Sequence, residues 1–239
     1  MDRHSLALFS LVVFSISCGP NDLAVPQDSA PIQQIERECR TFPSEFIELH
    51  ETGLRLHTCE FTRERSEFSC MVDDSYRYTL LYRSINDFID EANLIGLPRY
   101  TTINYTIGSV LVLQEQLSFT DKNRFVGRII RDPLAKRTII TETMSLWDEF
   151  ERPILGEADF DYGDGDTCIG HTLAFDYDDE DRLLTKTYSG AEGSNCDTTT
   201  LMFQFDGNGN LRLQLLSWHG AEPRKIRRGD ILSVDEVCR

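Results

Sequence analysis

The sequence predicts a mainly β fold, an antiparallel β-sheet or meander of repeated hairpins with one or two short helices. Three observations predict it. Short segments alternate apolar and polar residues, as in "TLAFDY" (172–177) and "TLMFQF" (200–205), which is the period of a strand with one buried face. Acidic or Gly/Asn-containing turns follow these segments. One segment has the clear 3.6-residue apolar spacing of a helix.

The first element along the chain is predicted to be an export signal, residues 1–17. A short polar start with Arg3 and His4 precedes an apolar run from Leu6 to Ile16. A membrane-spanning helix needs about 20 apolar residues, so this run is too short and fits the hydrophobic region of a signal peptide. An ordinary cleaved secretory signal is one interpretation of the segment.

The other interpretation depends on "SISC", residues 15–18. This stretch resembles the lipobox of bacterial lipoproteins, which ends in a Cys, although Ser15 stands where Leu is commonest. The resemblance implies cleavage before Cys18 and attachment of lipid (such as palmitate) to Cys18. Residues 18–35, with Pro20, Pro26 and Pro31, then form a flexible tether to a single mainly β domain, residues 36–239.

Cysteine usage predicts disulfides and hence an oxidising compartment. The chain has seven cysteines, an odd number, and assigning Cys18 to lipid leaves six. Six cysteines allow several connectivities, but their positions around predicted hairpins favour one. No CxxC pair or Cys/His group with zinc spacing is present, so disulfides are favoured over a zinc site. The favoured pairs are Cys59 with Cys70, Cys168 with Cys196, and Cys39 with Cys238.

The N-terminal part of the domain is predicted to combine strands with the helix. A short amphipathic piece, "IQQIERECR" (32–40), is followed by strand-like runs "LRLHTCEF", "EFSCMV" and "YRYTLLY". The helix is "SINDFIDEANLIGLP" (84–98), with Ser84 and Asp87 spaced as a capping box and Gly96 and Pro98 at its end. Its single apolar stripe must cover a sheet face. The stripe comprises Ile85, Phe88, Ile89, Ala92 and Ile95.

Further along the chain, an aspartate-containing turn recurs four times. The aspartates are Asp121, Asp148, Asp178 and Asp206, spaced by 27, 30 and 28 residues. Aspartate at the first position of a type I turn accepts hydrogen bonds from the turn's own amides, and the residue three positions later often needs a left-handed conformation. Gly209 and Asp181 suit that position. Glu151 does not, so we expect its copy to turn differently; the first copy is one residue short, with Asn123 near the position.

The aromatic-Asp pattern of these turns resembles the YD repeat of RHS-type bacterial surface and secreted proteins. Tyr177-Asp178 with Arg182-Leu183 matches, as does Phe205-Asp206 with Gly209, whereas Trp147-Asp148 is looser. The resemblance covers residues 119–218. It implies an extended antiparallel sheet of hairpins in which Trp147, Tyr177 and Phe205 pack on one face.

A calcium site is one interpretation of "ADFDYGDGDTC". Calcium takes six to eight oxygen ligands, and Asp/Gly loops can supply them. An EF-hand loop needs Glu at its twelfth position, where Ile169 or Gly170 stands instead, so a solvated, acid-rich hairpin tip is the competing interpretation. No other cofactor is predicted. The candidate ligands are Asp159, Asp161, Asp164 and Asp166.

No catalytic residue is predicted. "HETGL" (50–54) begins like a zinc-protease helix but has Leu54 where the second His belongs, and neither a GxSxG elbow nor a P-loop is present. The basic run from Arg224 to Arg228 could contact lipid phosphates or an acidic partner, or it could balance nearby acids. We therefore expect a protein that is not an enzyme.

These observations together predict a membrane-anchored lipoprotein of the bacterial cell envelope, at the outer membrane. A net charge of −16 argues against nucleic-acid binding. The expected partners are the membrane, through the lipid on Cys18, and an envelope or surface protein bound without catalysis. One alternative is a carrier of an apolar ligand. A concave sheet face that nothing covers would favour this function, and a helix that plugs that face would oppose it. Another is a secreted hydrolase. A pocket in which His171 or His219 meets carboxylates would favour this function.

Overall fold

A closed antiparallel sheet forms the domain. A computed structural model of the chain describes residues 38–50, 53–91, 99–120, 124–163, 166–179, 182–190, 198–205, 211–218 and 224–239. The predicted signal peptide, Cys18 and the tether lie outside these residues. In the described ranges, each strand pairs antiparallel with its neighbours in sequence, and β1 also pairs with β14. The predicted mainly β fold of hairpins is therefore confirmed.

Fourteen strands make up this sheet within the described ranges. Full closure leaves no strand edge unpaired, which removes the usual site of edge-to-edge aggregation. The strands are β1 (Cys39–His50), β2 (Gly53–Thr62), β3 (Glu67–Val72), β4 (Tyr76–Leu81), β5 (Thr102–Ile107), β6 (Val110–Phe119), β7 (Phe125–Asp132), β8 (Arg137–Trp147), β9 (Pro153–Gly163), β10 (Asp166–Tyr177), β11 (Leu183–Ser189), β12 (Thr199–Phe205), β13 (Leu211–Trp218) and β14 (Arg224–Cys238).

Disulfides reinforce the closure of the sheet. Cys39 and Cys238 are paired in the β1–β14 register and are joined by a disulfide between the first and last strands. Cys59 and Cys70 form a second disulfide across β2 and β3. Both predicted pairs are confirmed. Cys168 is also disulfide-bonded, and its predicted partner, Cys196, lies outside the described residues.

The α-helix, α1 (Ile85–Glu91), lies between β4 and β5 and begins with the predicted capping box. The Asp87 amide donates to Ser84 Oγ (3.2 Å), and the Ser84 hydroxyl donates to Asp87 Oδ2 (3.2 Å). A 3₁₀ turn, Arg63–Arg65, joins β2 to β3. Residues 92–98 of the predicted helix lie outside the described ranges. Within those ranges, neither helical element has the length and hydrophobicity to cross a bilayer.

Two residues of the predicted apolar stripe, Phe88 and Ile89, are buried against the closed sheet. Phe88 is 1% exposed and Ile89 is 2% exposed. Arg40 lies over the Phe88 ring, 4.2 Å from its centroid, and donates to the Phe88 carbonyl oxygen (2.6 Å). The predicted core role of Phe88 and Ile89 is confirmed. The rings around Phe88 belong to Phe42, Phe61, Phe68 and Tyr82.

The turns after β8 and β10 are built alike. Asp148 Oδ1 accepts from the amides of Phe150 and Arg152 (both 2.9 Å), and its Oδ2 accepts from Arg152 Nε (2.6 Å). Asp178 accepts from the Arg182 amide (2.8 Å) and from Arg182 Nε (2.7 Å). Each aspartate therefore holds both the main chain and the side chain of the arginine directly before the return strand.

Two expectations about these turns are wrong. Glu151 has φ 65°, so it adopts the left-handed conformation despite its side chain, and Asp148 binds Arg152 by the same hydrogen bonds as Asp178 binds Arg182. The first copy begins at Thr120 rather than Asp121, because Thr120 Oγ1 accepts from the Arg124 amide (3.2 Å) in the way that Asp148 accepts from Arg152. Asn123, Asp181, Asp206 and Gly209 lie outside the described residues.

The aromatic residue before each of these turns links one hairpin to the preceding one. Trp147 donates its indole N–H to the Phe125 carbonyl oxygen (2.9 Å), and the Tyr177 hydroxyl donates to the Pro153 carbonyl oxygen (3.0 Å). Each ring also stacks with the arginine of the preceding turn, so successive hairpins are connected. The Cζ-to-centroid distances are 5.0 Å for Arg124 over Trp147 and 4.4 Å for Arg152 over Tyr177.

We expect Asp148→Ala to lower the free energy of unfolding by about 1–3 kcal/mol, because two amides and a guanidinium lose their acceptor. Urea unfolding followed by tryptophan fluorescence measures this loss, and adjacent Trp147 reports on the turn. Glu149→Ala removes an exposed carboxylate from the same turn and should leave the midpoint unchanged. Equal losses for the two variants would show that the hydrogen bonds of Asp148 do not stabilise the turn.

Candidate functional site: a charge cluster inside the sheet

A cluster of charged and polar side chains lies buried in the interior of the closed sheet. We call it the interior cluster; it consists of Glu115 on β6, Arg128 on β7, Glu142 on β8, and Lys186 and Tyr188 on β11. Strand alternation turns these residues inward. Glu115 lies between buried Leu113 and Leu117, two residues away on either side, and Glu142 lies in the same way between Ile140 and Met144.

Glu142 is the centre of the interior cluster. Arg128 is its Cα partner in the β7–β8 register and forms a bidentate pair with it, with Nε 3.1 Å from Oε2 and Nη2 in contact with Oε1. Lys186 Nζ lies 3.0 Å from both carboxylate oxygens, and the Tyr188 hydroxyl donates to Oε1 at 2.5 Å. Both oxygens of this buried carboxylate therefore have charged donors.

Glu115 is bound less completely than Glu142. Its Oε1 lies 3.4 Å from Arg128 Nη1, whereas its Oε2 is buried and has no hydrogen-bond partner among the described atoms. Arg128 also donates to the Tyr188 hydroxyl (3.0 Å), so its guanidinium contacts three members of the interior cluster. Glu115 is 2% exposed, and leaving a carboxylate oxygen unpartnered at that depth is costly.

The two glutamates have opposite pKa shifts. Burial raises the pKa of Glu142, but the charges of Arg128 and Lys186 outweigh burial and hold it at about 2. Burial also raises the pKa of Glu115, the nearby Glu142 charge adds to that effect, and Arg128 opposes it only in part, so the pKa of Glu115 stays above its usual value. Glu142 is therefore the permanent anion, and Glu115 is the carboxyl that protonates first.

Lys186 completes the charge balance of the interior cluster. Burial and the Arg128 charge lower the pKa of Lys186 to about 8, against the opposing pull of Glu142. Its ammonium also lies over aromatic rings, 5.4 Å from the Phe175 centroid and 5.2 Å from that of Tyr188. With both glutamates ionised the cluster is neutral. It ties β6, β7, β8 and β11 together by charge-assisted bonds across the interior.

A second polar group lies between β1, β2 and β4. Glu48 Oε2 is 3.0 Å from His50 Nε2 and 3.1 Å from His57 Nε2, and the Tyr78 hydroxyl is 3.5 Å from His57 Nδ1. Phe46 stacks on the His57 ring with centroids 4.4 Å apart. Burial raises the pKa of Glu48, but hydrogen bonds from the two histidines bring it to about 2. The arrangement anchors a buried imidazole beside a carboxylate.

The structure assigns local partners to the candidate calcium ligands that it describes. Asp159 Oδ1 accepts from the Gly170 amide (2.8 Å), and Asp161 Oδ1 accepts from the Gly163 amide (2.8 Å) and lies 3.7 Å from Arg137 Nη1. Asp164 and the side chain of Asp166 lie outside the described residues. Within the described part of the chain, the one group of metal-ligating atoms is Cys39, Glu236 and Cys238, whose two sulfurs form a disulfide. Calcium at this turn remains a prediction.

Of the two histidines considered for hydrolysis, the structure describes His171. His171 is buried on β10 and packs edge-on against Phe160, with centroids 4.9 Å apart. His57 belongs to the Glu48 group on β2, and His219 lies outside the described residues. The positions of these histidines do not test whether the protein is an enzyme, and the expectation that it is not an enzyme stays a prediction.

Sequence reasoning missed the whole interior cluster. The signal that could have found it is a charged residue in phase with buried apolar ones, as in "LVLQEQL", where Leu113, Glu115 and Leu117 share one face. A charge at such a position requires an oppositely charged partner inside the fold.

No protein-family model and no curated protein matches the chain.

Proposed function

We propose that this chain is a lipid-anchored protein of the bacterial cell envelope with a non-catalytic binding or scaffolding role. Lipid on Cys18 holds it at the membrane, and residues 18–35 tether the closed β domain. The observation that carries the proposal is the resemblance of "SISC" (15–18) to a lipobox directly after an apolar run of signal-peptide length.

The disulfides support this assignment. Cys39–Cys238 and Cys59–Cys70 bonds persist only in an oxidising environment, such as the one an exported protein enters. Together with the bonded Cys168 they leave Cys18 and Cys196 as the cysteines outside the described residues. An odd total is the number expected when one cysteine carries lipid and the rest pair.

The interior supports a structural rather than a carrier role for the domain. Phe88 of α1 packs among aromatic rings at one end, and the interior cluster occupies the middle with charged side chains that bind one another. An apolar ligand would have to displace these groups or lie beside buried charges, which is costly. The outer surface is therefore the part of the domain that we assign to partners.

We expect Cys18→Ala to remove the N-terminal lipid and to release the protein from the membrane fraction, because the sulfur that carries the lipid is lost. The measurement is membrane fractionation of cells that express the full chain, with intact-mass spectrometry of the purified product. A lipidated chain shows the mass of the diacylglyceryl thioether on residue 18.

Ser15→Leu is the matched control, since it changes the same four-residue motif toward its commonest form. This variant should stay lipidated and membrane-bound. An unmodified wild-type Cys18, or a Cys18→Ala protein that still fractionates with membranes, would contradict the proposal.

A further inference from the structure

The disulfide that closes the sheet lies at the surface of the domain. Cys39 is exposed and Cys238 is half-buried. By contrast, Cys59 and Cys70, which form the disulfide across β2 and β3, are 5% and 1% exposed. Exchange with an external thiol requires a thiolate to reach one of the two sulfurs, so its rate depends on access. In the folded domain such a reagent reaches Cys39 but is kept away from Cys59 and Cys70.

Contacts on both sides of the exposed disulfide hold β1 against β14 independently of the sulfurs. Beyond the bond, the Arg239 amide donates to the Glu38 carbonyl oxygen (2.9 Å), and the Arg239 guanidinium pairs with the Glu38 carboxylate. Within the domain, residues 39–43 pair with residues 234–238 without a shift in register. Arg40 is 3% exposed and donates to a main-chain carbonyl oxygen of α1 (2.6 Å). Reduction therefore leaves the two thiols side by side in a folded sheet, where they can be oxidised again.

The charges near this bond have opposite effects on exchange. Arg63 Nη2 donates to the Cys238 carbonyl oxygen (2.7 Å), which places a cation beside a residue whose sulfur can leave as a thiolate. A carboxylate oxygen of Glu236 lies within 4.8 Å of both sulfurs, and its negative charge opposes the approach of a thiolate. Removal of the Glu236 charge should therefore speed the exchange.

We propose that the Cys39–Cys238 bond is a thiol–disulfide exchange site that is open, in the folded protein, to an external dithiol. A thiolate of the dithiol bonds to Cys39 Sγ, the bond between the two protein sulfurs breaks, and Cys238 leaves as a thiolate that takes up a proton. The second thiol of the dithiol loses its proton and attacks the dithiol's own sulfur in this mixed disulfide, which releases Cys39 as a thiolate that is protonated in turn. The protein gains two electrons and two protons, and the dithiol becomes an intramolecular disulfide.

This reactivity goes beyond a binding or scaffolding role and does not depend on lipid at Cys18. The bond at issue is the covalent link between the first and last strands of the sheet. A dithiol partner therefore opens and closes the link between the two ends of the domain while the sheet stays folded.

The test follows two disulfides in one protein. Full-length protein is treated with N-ethylmaleimide to block free thiols, exposed to dithiothreitol at neutral pH without denaturant, and quenched at intervals with iodoacetamide. Peptide mass spectrometry gives the labelled fraction of each cysteine. We expect Cys39 and Cys238 to be labelled at least roughly tenfold faster than Cys59 and Cys70, because the buried bond reacts only after local opening of the sheet. In urea the two rates should converge.

A charge variant tests the geometry of the site itself. Glu236→Gln should raise the labelling rate of Cys39 roughly two- to threefold at low salt, and this gain should shrink as salt rises. Glu149→Gln is the matched control, because it removes an exposed carboxylate from the turn after β8 and should leave the rate unchanged.

The native tryptophan fluorescence, recorded during reduction, completes the test. An unchanged spectrum while Cys39 and Cys238 are labelled, and return of the bond on transfer to oxidised dithiothreitol, would support the exchange site. Equal labelling rates for the two disulfides without urea would overturn the inference, because access would then not distinguish them. Labelling of Cys39 that occurs only with loss of the native spectrum would also overturn it, since reduction would then require unfolding.

Discussion

Glu142→Gln is expected to lower the free energy of unfolding by about 3–5 kcal/mol, because it leaves two buried cations without their shared anion. Arg128 and Lys186 both contact Glu142, and Lys186 lies 3.0 Å from each of its oxygens. The amide keeps the shape of the side chain but turns one acceptor into a donor that faces these cations. Urea unfolding of the two proteins at neutral pH measures the loss.

Glu115→Gln is the matched control for this prediction. The substitution is the same, and Glu115 lies in the same cluster, but its contact with Arg128 is one 3.4 Å hydrogen bond and its second oxygen has no partner among the described atoms. Since burial raises the pKa of Glu115, its neutral form costs little, and we expect a loss below about 1 kcal/mol. Equal losses for the two variants would show that Glu142 is not the centre of the cluster.

The pH dependence of unfolding separates loss of charge from loss of packing. The pKa of Glu142 is about 2 in the folded protein, against an ordinary value of 4.5. Because folding lowers this pKa, the stabilisation by ionised Glu142 is complete above about pH 4.5 and is lost as pH falls toward 2. The stability difference between wild type and Glu142→Gln should therefore shrink over this range. A difference that stays constant would indicate a packing defect.

The fold was predictable because local patterns and the global architecture agree. Period-two alternation identified strands such as Thr199–Phe205, and the Ser84–Asp87 spacing identified the start of α1. Closure of the sheet was not predictable, since pairing of β1 with β14 joins segments at the two ends of the domain and no local pattern records it. The predicted Cys39–Cys238 pair implied that these ends meet.

The interior cluster was not predicted because composition hides it. Carboxylates are abundant in this chain, with 40 Asp and Glu residues, so a single Glu in a strand is unremarkable. What distinguishes Glu115 and Glu142 is the side of the strand on which they lie. They alternate with solvent-facing positions and share the buried side with apolar residues. Which cation each glutamate meets depends on the strand register, as with Arg128 opposite Glu142, and sequence alone does not give that register.

The turns show that the preference of a single residue type does not decide the backbone conformation at its position. Glu151 is a poor candidate for a left-handed position, yet it has φ 65° because the hydrogen bonds of Asp148 to residues 150 and 152 fix the chain on either side of it. Thr120 likewise takes the place of the expected aspartate because its hydroxyl can accept from the Arg124 amide. The hydrogen-bond pattern, rather than residue identity at one position, defines the repeat.

Replacing Cys39 and Cys238 together by alanine is expected to lower the free energy of unfolding by about 5 kcal/mol. The disulfide joins residues separated by 199 positions, so it restricts nearly the whole unfolded domain, and the entropy of closing such a loop grows with the logarithm of its length. It also fixes the one strand pair, β1 with β14, that closes the sheet.

Replacing Cys59 and Cys70 by alanine is the matched control, because that bond also joins paired strand residues but separates them by only 11 positions. Its loss should cost about 3 kcal/mol. Neither double variant leaves an unpaired partner thiol, so the comparison isolates loop length and position. Urea unfolding of both variants measures the difference. A larger loss for the Cys59–Cys70 pair would mean that packing around those buried sulfurs, rather than restriction of the unfolded chain and closure of the sheet, dominates the contribution of the disulfides.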